Sequence, residues 1–259
     1  MSQRPRSLRY EYELFVEREI ENYKESIPRS AILKIGDDAV AVLQSQPQLA
    51  LTEILLCAEV DRIIQGRLRL PSFATWRKRR LKALKEFSRP ERWGFRADSA
   101  LARAALSVCE GHVLVAGVSA EGPAIYLAAN GCAVTAVDTT EDVLERVLNA
   151  AAEVGLTSRV RCVGEDLANW SPDRPLNAVV VAAAALSGLS TVDRARAIEL
   201  LQQATTAGGV HVVEGSAGGE ALTLEELRDC YRGWNITVER GGLGMGYGGE
   251  TFLARKEVA

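Results

Sequence analysis

The chain has 259 residues, of which 47% are hydrophobic, 25% charged and 6% aromatic, and its formal net charge is −3. These values exclude collagen-like, disordered and low-complexity proteins and leave room for one large domain or two smaller ones. The charge is unevenly distributed, because residues 1–96 carry a net +6 and residues 97–259 a net −9. The change of sign predicts two domains, 1–96 and 97–259.

Targeting and metal-binding signals are weak throughout the chain. The polar N-terminus precedes no apolar segment, and the longest apolar run, 178–186, is too short to span a bilayer. Five dispersed cysteines form no C-x-x-C pair. The two histidines, His112 and His211, stand at the start of strand-like runs, where a structural role is the simpler interpretation. We therefore expect a soluble, cytoplasmic protein without a metal site and without a membrane partner.

Four helices are predicted in the basic first part. Arg9 to Ser26 forms the first helix, and a second follows Ser30 up to the Gln-Pro-Gln step at 46–48. An apolar segment, 49–65, forms the third. Ser72 is a good N-cap for a fourth that reaches Phe87.

The fourth helix carries a dense run of positive charge between Trp76 and Lys85. Basic residues near a helix C-terminus complement its dipole, and a solvated face or one that docks the acidic second part is the favoured interpretation. A surface for nucleic acid on the basic helix, residues 72–89, is the less favoured alternative.

From Gly111 onwards the pattern changes to strands that alternate with helices. Strands are predicted at 112–116, 133–137, 159–163, 178–182 and 210–213, with helices between them. This alternation predicts an α/β fold with a doubly wound, mostly parallel sheet, preceded by the all-helical domain. The glycine-rich segment 241–249 is expected to join two final antiparallel strands, and residues 214–219 are expected to form a surface loop or a lid.

Ligands of such sheets bind beyond the carboxyl ends of the strands. Asp138 ends the second strand, where a carboxylate can accept hydrogen bonds from both hydroxyls of a ribose. Asp166 follows the third strand, where it can meet the exocyclic amine of adenine. A helix-capping role for Asp138 is the alternative.

The run from Val113 to Asp138 resembles the first two motifs of class I S-adenosylmethionine-dependent methyltransferases. Within that family, residues 126–131 and 226–234 and the ending Thr251 to Lys256 are similar to methyltransferases of the tellurite-resistance (TehB) type. The resemblance covers roughly residues 100–259. It implies a Rossmann-like fold, S-adenosylmethionine as the cofactor and methyl transfer as the activity.

The first motif departs from the family pattern of an acid followed by Gly-x-Gly-x-Gly. Val115 stands at the acid position, Gly117 is kept, Ser119 and Glu121 replace the other two glycines, and Gly122 follows one residue late. Weakened or lost cofactor binding is therefore expected. The fourth strand opens with Asn177 instead of the usual Asp.

The resemblance implies a set of cofactor-binding residues but no catalytic residue that can be named. The set is Gly117, Ser119, Glu121, Gly122, Asp138, Thr139, Asp166, Leu167 and Ala182. Because no general base is evident after the fourth strand, we expect a methyltransferase for a small, soft acceptor, which needs positioning more than proton removal. The alternative is a catalytically degenerate methyltransferase-like domain that serves as a binding or regulatory scaffold.

Overall fold

A computed structural model describes residues 7–45, 53–108, 110–117, 121–215, 222–240 and 250–257. Ser119, the glycine-rich segment 241–249 and residues 216–219 lie outside the described residues, so the expectations for them stay predictions. The chain divides into two compact units, Met1–Lys82 and Ala83–Ala259, which we name the helical unit and the sheet unit. In the described ranges no helix is both long and apolar enough to cross a membrane.

The predicted helices of the first part are confirmed. They are α1 (Leu8–Ser26), α2 (Arg29–Gln44), α3 (Glu53–Leu68) and α4 (Phe73–Phe87). The first three meet in a small apolar core formed by Ile20, Ile35 and Ile64. Ser7 begins α1, because its hydroxyl accepts the backbone N–H of Tyr10.

The division between the two units falls inside α4, ahead of the change in charge at residue 96. Leu84, Phe87 and Trp93 explain this position, because they pack against the apolar core of the sheet unit. A charge pattern reports on surface residues, whereas the boundary of a compact unit follows its buried ones.

The sheet unit contains seven strands in the order β3-β2-β1-β4-β5-β7-β6. Strands β1 to β5 are parallel, and β7 runs antiparallel to both β5 and β6. This arrangement confirms the predicted fold class. In chain order the elements are a 3-10 turn (Pro90–Trp93), α5 (Ala100–Ser107), β1 (His112–Ala116), α6 (Gly122–Ala129), β2 (Ala133–Val137), α7 (Glu141–Glu153), β3 (Val160–Val163), β4 (Leu176–Ala182), α8 (Ala183–Ser187), α9 (Thr191–Ala204), β5 (Thr205–Glu214), α10 (Leu224–Cys230), β6 (Asn235–Arg240) and β7 (Glu250–Arg255).

Each face of the sheet is covered by helices, which explains why the segment Ala178–Ala182 of the central strand β4 is apolar at every position. Val113 and Val115 of β1 lie in a core with α5, α6 and α7, whereas Leu114 and Ala116 lie in a second core with α9 and α10. The two apolar cores stabilise the sheet from both faces, and the carboxyl ends of β1 to β5 lie at one edge because these strands are parallel.

Strand β5 is longer than predicted. It begins at Thr205 rather than at residue 210, and its pairing with β4 shifts register between Leu176 and Ala178. The inserted residues include Gly208, with a φ of 75°, and Gly209, where a Cβ would lie 2.5 Å from the Thr205 methyl group. Two glycines at a bulge have the same sequence signature as a turn, so the local pattern did not predict this part of the strand.

A buried polar network links β5 to α10. The Thr205 hydroxyl donates to the Leu201 carbonyl at 2.6 Å and lies 2.7 Å from Nε2 of His211, whose Nδ1 lies 2.8 Å from the Tyr231 hydroxyl. Because the Thr205 hydroxyl donates its own proton to the Leu201 carbonyl, it accepts a hydrogen bond from Nε2 of His211, and Nδ1 accepts one from the Tyr231 hydroxyl. The network is complete only with a neutral imidazole.

Candidate functional site

A cleft of about 400 Å³ lies at the carboxyl edge of the parallel strands. Its lining comes from the segments that follow β1, β2, β3 and β4. The lining residues are Gly117, Val137, Asp138, Thr139, Thr140, Val143, Glu165, Asp166, Leu167, Ala184, Ala185, Gly188 and Leu189. The lining thus combines apolar side chains with three carboxylates and two threonine hydroxyls, and a small-molecule site needs both kinds of group.

Gly117 forms the floor of the cleft where the chain leaves β1. Its φ is 66°, its N–H donates to the Val137 carbonyl at 3.1 Å, and a Cβ here would lie 2.4 Å from that of Ala185. Both the backbone angle and the lack of space require glycine. The structure therefore gives a local reason for the one glycine that the first motif retains.

Asp138 stands at the end of β2 and is partly buried. Its N–H donates to the Val163 carbonyl of β3 at 3.2 Å, and its Oδ1 accepts the N–H of Thr140 at 2.8 Å. The capping role and the ligand role are therefore compatible, because Oδ1 holds the start of α7 while Oδ2 makes no hydrogen bond to a described residue. Thr139, which is exposed, completes this side of the cleft.

Asp166 lies three residues after the end of β3 and is partly buried. Its Oδ1 accepts the N–H of Ala168 at 2.9 Å, which fixes the turn, and Leu167 is buried beside it. Glu165, which the sequence interpretation did not select, also lines the cleft and is exposed.

The opposite wall is formed by α8 and the residues after it. Ala184, Ala185, Gly188 and Leu189 line it, so this wall has no titratable side chain. Helix α8 was not predicted as a separate element. Its five residues, Ala183–Ser187, continue the apolar run of β4 without a turn signal.

Not all of the predicted residues line the cleft. Glu121 and Gly122 begin α6 outside the lining, and a Cβ on Gly122 would lie 3.3 Å from the Trp93 ring. Ala182 ends β4 behind Gly117, with 3.4 Å between its Cβ and the position of a Cβ on Gly117. Val115, at the position of the family's acid, is 2% exposed and lies inside an apolar core.

Asn177 lies at the other end of β4 from the cleft. Its Oδ1 accepts the N–H of His112 at 2.9 Å, and its Nδ2 donates to the Thr206 hydroxyl at 3.3 Å. Both bonds join neighbouring strands. The change from Asp to Asn at this position therefore affects the framework of the sheet and not the lining of the cleft.

Glu214 is a carboxylate that the sequence interpretation assigned to a loop. It is the last residue of β5, it pairs in register with Ala182 of β4, and it is only partly exposed. Burial raises the pKa of its carboxyl to about 7. The signal that singled out Asp138, an acid at the end of an apolar strand, was present here too.

Solved structures of several methyltransferases share this fold. The N-methyltransferase NodS from Bradyrhizobium japonicum is 17% identical, with a TM-score of 0.50 over 63% of this chain and 100% of its own. TehB from Haemophilus influenzae is 18% identical, with a TM-score of 0.51 over 64% of this chain and 65% of its own. The magnesium protoporphyrin IX methyltransferase of Synechocystis, solved with bound S-adenosylmethionine, is 18% identical, with a TM-score of 0.51 over 62% of this chain and 78% of its own.

No protein-family model matches the sequence, and no curated protein matches it. The likeness at this level of identity is one of fold. It confirms the Rossmann-like methyltransferase architecture that the sequence predicted. The activity depends on the residues of the cleft and not on the fold.

Proposed function

We propose that the sheet unit binds S-adenosylmethionine in the cleft and transfers its methyl group to a small, soft acceptor. One observation carries the proposal: Gly117, Asp138 and Asp166, each at the end of a different parallel strand, surround a single cleft of about 400 Å³. The methyltransferase structures that share the fold support the choice of cofactor, because one of them was solved with S-adenosylmethionine bound.

The cleft fits the nucleoside half of the cofactor. Oδ2 of Asp138 is available to accept the hydroxyls of a ribose, since Oδ1 already holds Thr140. Val143 and Leu167 offer apolar surface for a purine ring, and Asp166 offers an acceptor for its amine. Gly117 lets the backbone approach the ligand where a side chain would fill the space.

The methionine half has fewer partners, and this favours a second candidate function. Val115 supplies no carboxylate for the ammonium group and is sealed in the core. An unpaired ammonium group in a partly enclosed site lowers the binding free energy of the ligand by on the order of 1–3 kcal/mol relative to a paired one. A domain that binds the nucleoside without catalysing transfer, as a binding or regulatory scaffold, is therefore the alternative.

The wall formed by α8 supports the soft acceptor. When bound, S-adenosylmethionine supplies an electrophilic methyl group on a sulfonium centre. A thiolate or a selenium or tellurium oxyanion attacks such a group without losing a proton, so the acceptor needs position rather than a base. Ala184, Ala185 and Leu189 provide a wall of that kind. We also propose a cytoplasmic location, because the four described cysteines are free thiols.

Isothermal titration of the full chain with S-adenosylmethionine tests the proposal, and Asp138→Asn is the informative variant. An asparagine keeps an oxygen that can accept the Thr140 N–H, but its amide nitrogen cannot accept a ribose hydroxyl. We expect the affinity to fall about tenfold or more, which corresponds to ~1.4 kcal/mol.

Asp142→Asn is the matched control, because Asp142 is exposed on α7, lies outside the lining and makes the same change in charge. Its affinity should stay within about twofold of the wild type. The absence of heat at millimolar ligand would overturn cofactor binding, and equal affinities of the two variants would overturn the contact between Asp138 and the ribose. Binding without label transfer from S-[methyl-³H]adenosylmethionine to thiol, selenite or tellurite would favour the scaffold.

A further inference from the structure

Helix α4 presents a row of lysines that the proposed methyl transfer does not use. Lys78, Lys82 and Lys85, the lysine stripe, are spaced by four and three residues, so they lie on one face of the helix. Arg77 and Arg79 flank the stripe, and all five side chains are exposed.

Packing on the opposite face of α4 fixes the direction in which the stripe points. Phe73 and Trp76 pack on Tyr12 of α1, with ring centroids 5.5 Å apart in each pair, and the Tyr12 hydroxyl donates to the Pro71 carbonyl at 2.9 Å. Arg80, on this inner face, pairs with Glu11 at 3.3 Å. The inner cation is therefore matched by a carboxylate, and the lysine stripe faces away from the core of the helical unit.

No carboxylate of the described residues forms an ion pair with the lysine stripe or its two flanking arginines. Elsewhere in the helical unit, several cations are paired: Lys24 with Asp61 at 2.8 Å and Arg67 with Asp38 at 3.1 Å. Exposed like charges on adjacent turns of a helix repel one another and destabilise it. A surface that concentrates them without partners is suited to an external polyanion.

We propose that the lysine stripe, with Arg77 and Arg79, binds the phosphodiester backbone of a nucleic acid. Lysine is depleted in the cores of protein–protein interfaces, which are rich in aromatic side chains, whereas interfaces with nucleic acid are strongly positive. The aromatic residues of this region, Tyr12, Phe73 and Trp76, pack on one another and are not fully exposed. Because these rings do not stack on bases, binding rests on phosphate contacts and is independent of the base sequence of the nucleic acid.

The geometry disfavours a membrane surface and fits a nucleic acid strand. An interfacial helix must insert a free apolar face. In α4, Phe73 and Trp76 pack on α1, Leu84 and Phe87 pack on the core of the sheet unit, and Leu81 is the one large hydrophobic side chain that is exposed. The lysine stripe covers about 10 Å along the helix axis, at 1.5 Å per residue. A duplex presents about six phosphate charges over this length, enough to engage all three lysines.

Fluorescence anisotropy of the full-length protein with a labelled, random-sequence DNA duplex and with a labelled RNA hairpin tests the proposal. The informative variant is Lys78→Gln/Lys82→Gln/Lys85→Gln. Each lost phosphate contact lowers the slope of log affinity against log salt by about 0.9 for duplex DNA, so the variant should lose about 2–3 units of slope. We expect its affinity at about 50 mM salt to fall at least tenfold.

Arg18→Gln/Arg29→Gln/Lys34→Gln is the matched control. These three residues are exposed in the helical unit, which also contains Lys78 and Lys82, and their replacement removes the same charge as the triple lysine variant. Retained binding in the control, together with unchanged circular dichroism of both variants, would support a localised surface. An equal loss in both variants, no binding of the wild type at low salt, or binding to phosphatidylserine vesicles or an acidic protein in place of nucleic acid would overturn the proposal. The relative binding of the DNA and RNA probes identifies the nucleic acid.

Discussion

The buried histidine of β5 makes the stability of the sheet unit depend on pH. His211 is fully buried between Thr205 and Tyr231, and burial, with a smaller contribution from the charge of Lys256, lowers its pKa from 6.5 to about 3. A protonated imidazole would carry a second N–H donor at Nδ1, where it would face the Tyr231 hydroxyl whose proton Nδ1 accepts in the neutral state. The folded state therefore resists protonation more strongly than the unfolded state.

The sign and size of the effect follow from linkage. The stability that the neutral His211 contributes is complete above about pH 6.5 and is lost as the pH falls from there towards about 3. A pH of about 4.5 is two units below the pKa of the histidine in the unfolded chain, whereas the histidine of the folded chain is still neutral at that pH. The free energy of unfolding therefore falls by about 3 kcal/mol.

His211→Gln is the variant that isolates this contribution, because glutamine is polar but does not titrate. We expect it to be less stable than the wild type near pH 7 by about 1–3 kcal/mol, since one or both hydroxyl partners lose a hydrogen bond. Between about pH 6.5 and pH 4.5 its stability should fall by about 3 kcal/mol less than that of the wild type. Urea unfolding followed by circular dichroism measures both. Equal falls in the two proteins would refute the reasoning, because all other titrating groups are shared.

Two further variants test the carboxyl edge of the sheet. In Gly117→Ala, the alanine must adopt a φ of 66° and place its Cβ 2.4 Å from that of Ala185, so this variant should lower the stability of the protein by about 1–3 kcal/mol and weaken S-adenosylmethionine binding. Adding Ala185→Gly should restore part of both the stability and the affinity, as measured by calorimetry. No restoration would contradict the steric cause. Glu214→Gln should stabilise the protein by about 1–3 kcal/mol near pH 8 and have little effect near pH 4.5, because the raised pKa of Glu214 means that stability falls as the pH rises through about 7. A destabilised variant near pH 8 in urea unfolding would show that the Glu214 carboxylate is paired in the folded state.

The architecture was predictable because its determinants are local. Strands buried on both faces are mostly apolar, and β1 and β2, which are apolar apart from His112 and Thr135, lie at their predicted positions. Asp138 and Asp166 were selected for their positions after strands, and both line the cleft. Asp138 directly follows β2, Asp166 lies three residues after β3, and each fixes its own turn through Oδ1. An acid at a strand end therefore identifies both a turn and a side of the cleft.

The remaining features depend on contacts between residues that are far apart in sequence. Gly122 matches a motif by spacing, yet the rings of Trp93 and Phe95 determine its place, and these precede β1. Asn177 marks a departure from a family pattern, but its partners His112 and Thr206 show a role in joining strands. The raised pKa of Glu214 results from burial, which the fold determines and the local sequence does not.

Determination of a crystal structure with S-adenosylhomocysteine tests the central claim most directly. The account predicts that the adenosyl group lies in the cleft, with the ribose hydroxyls on Asp138 and the purine beside Leu167. A ligand bound elsewhere, or a saturated crystal in which the cleft contains only solvent, would contradict it.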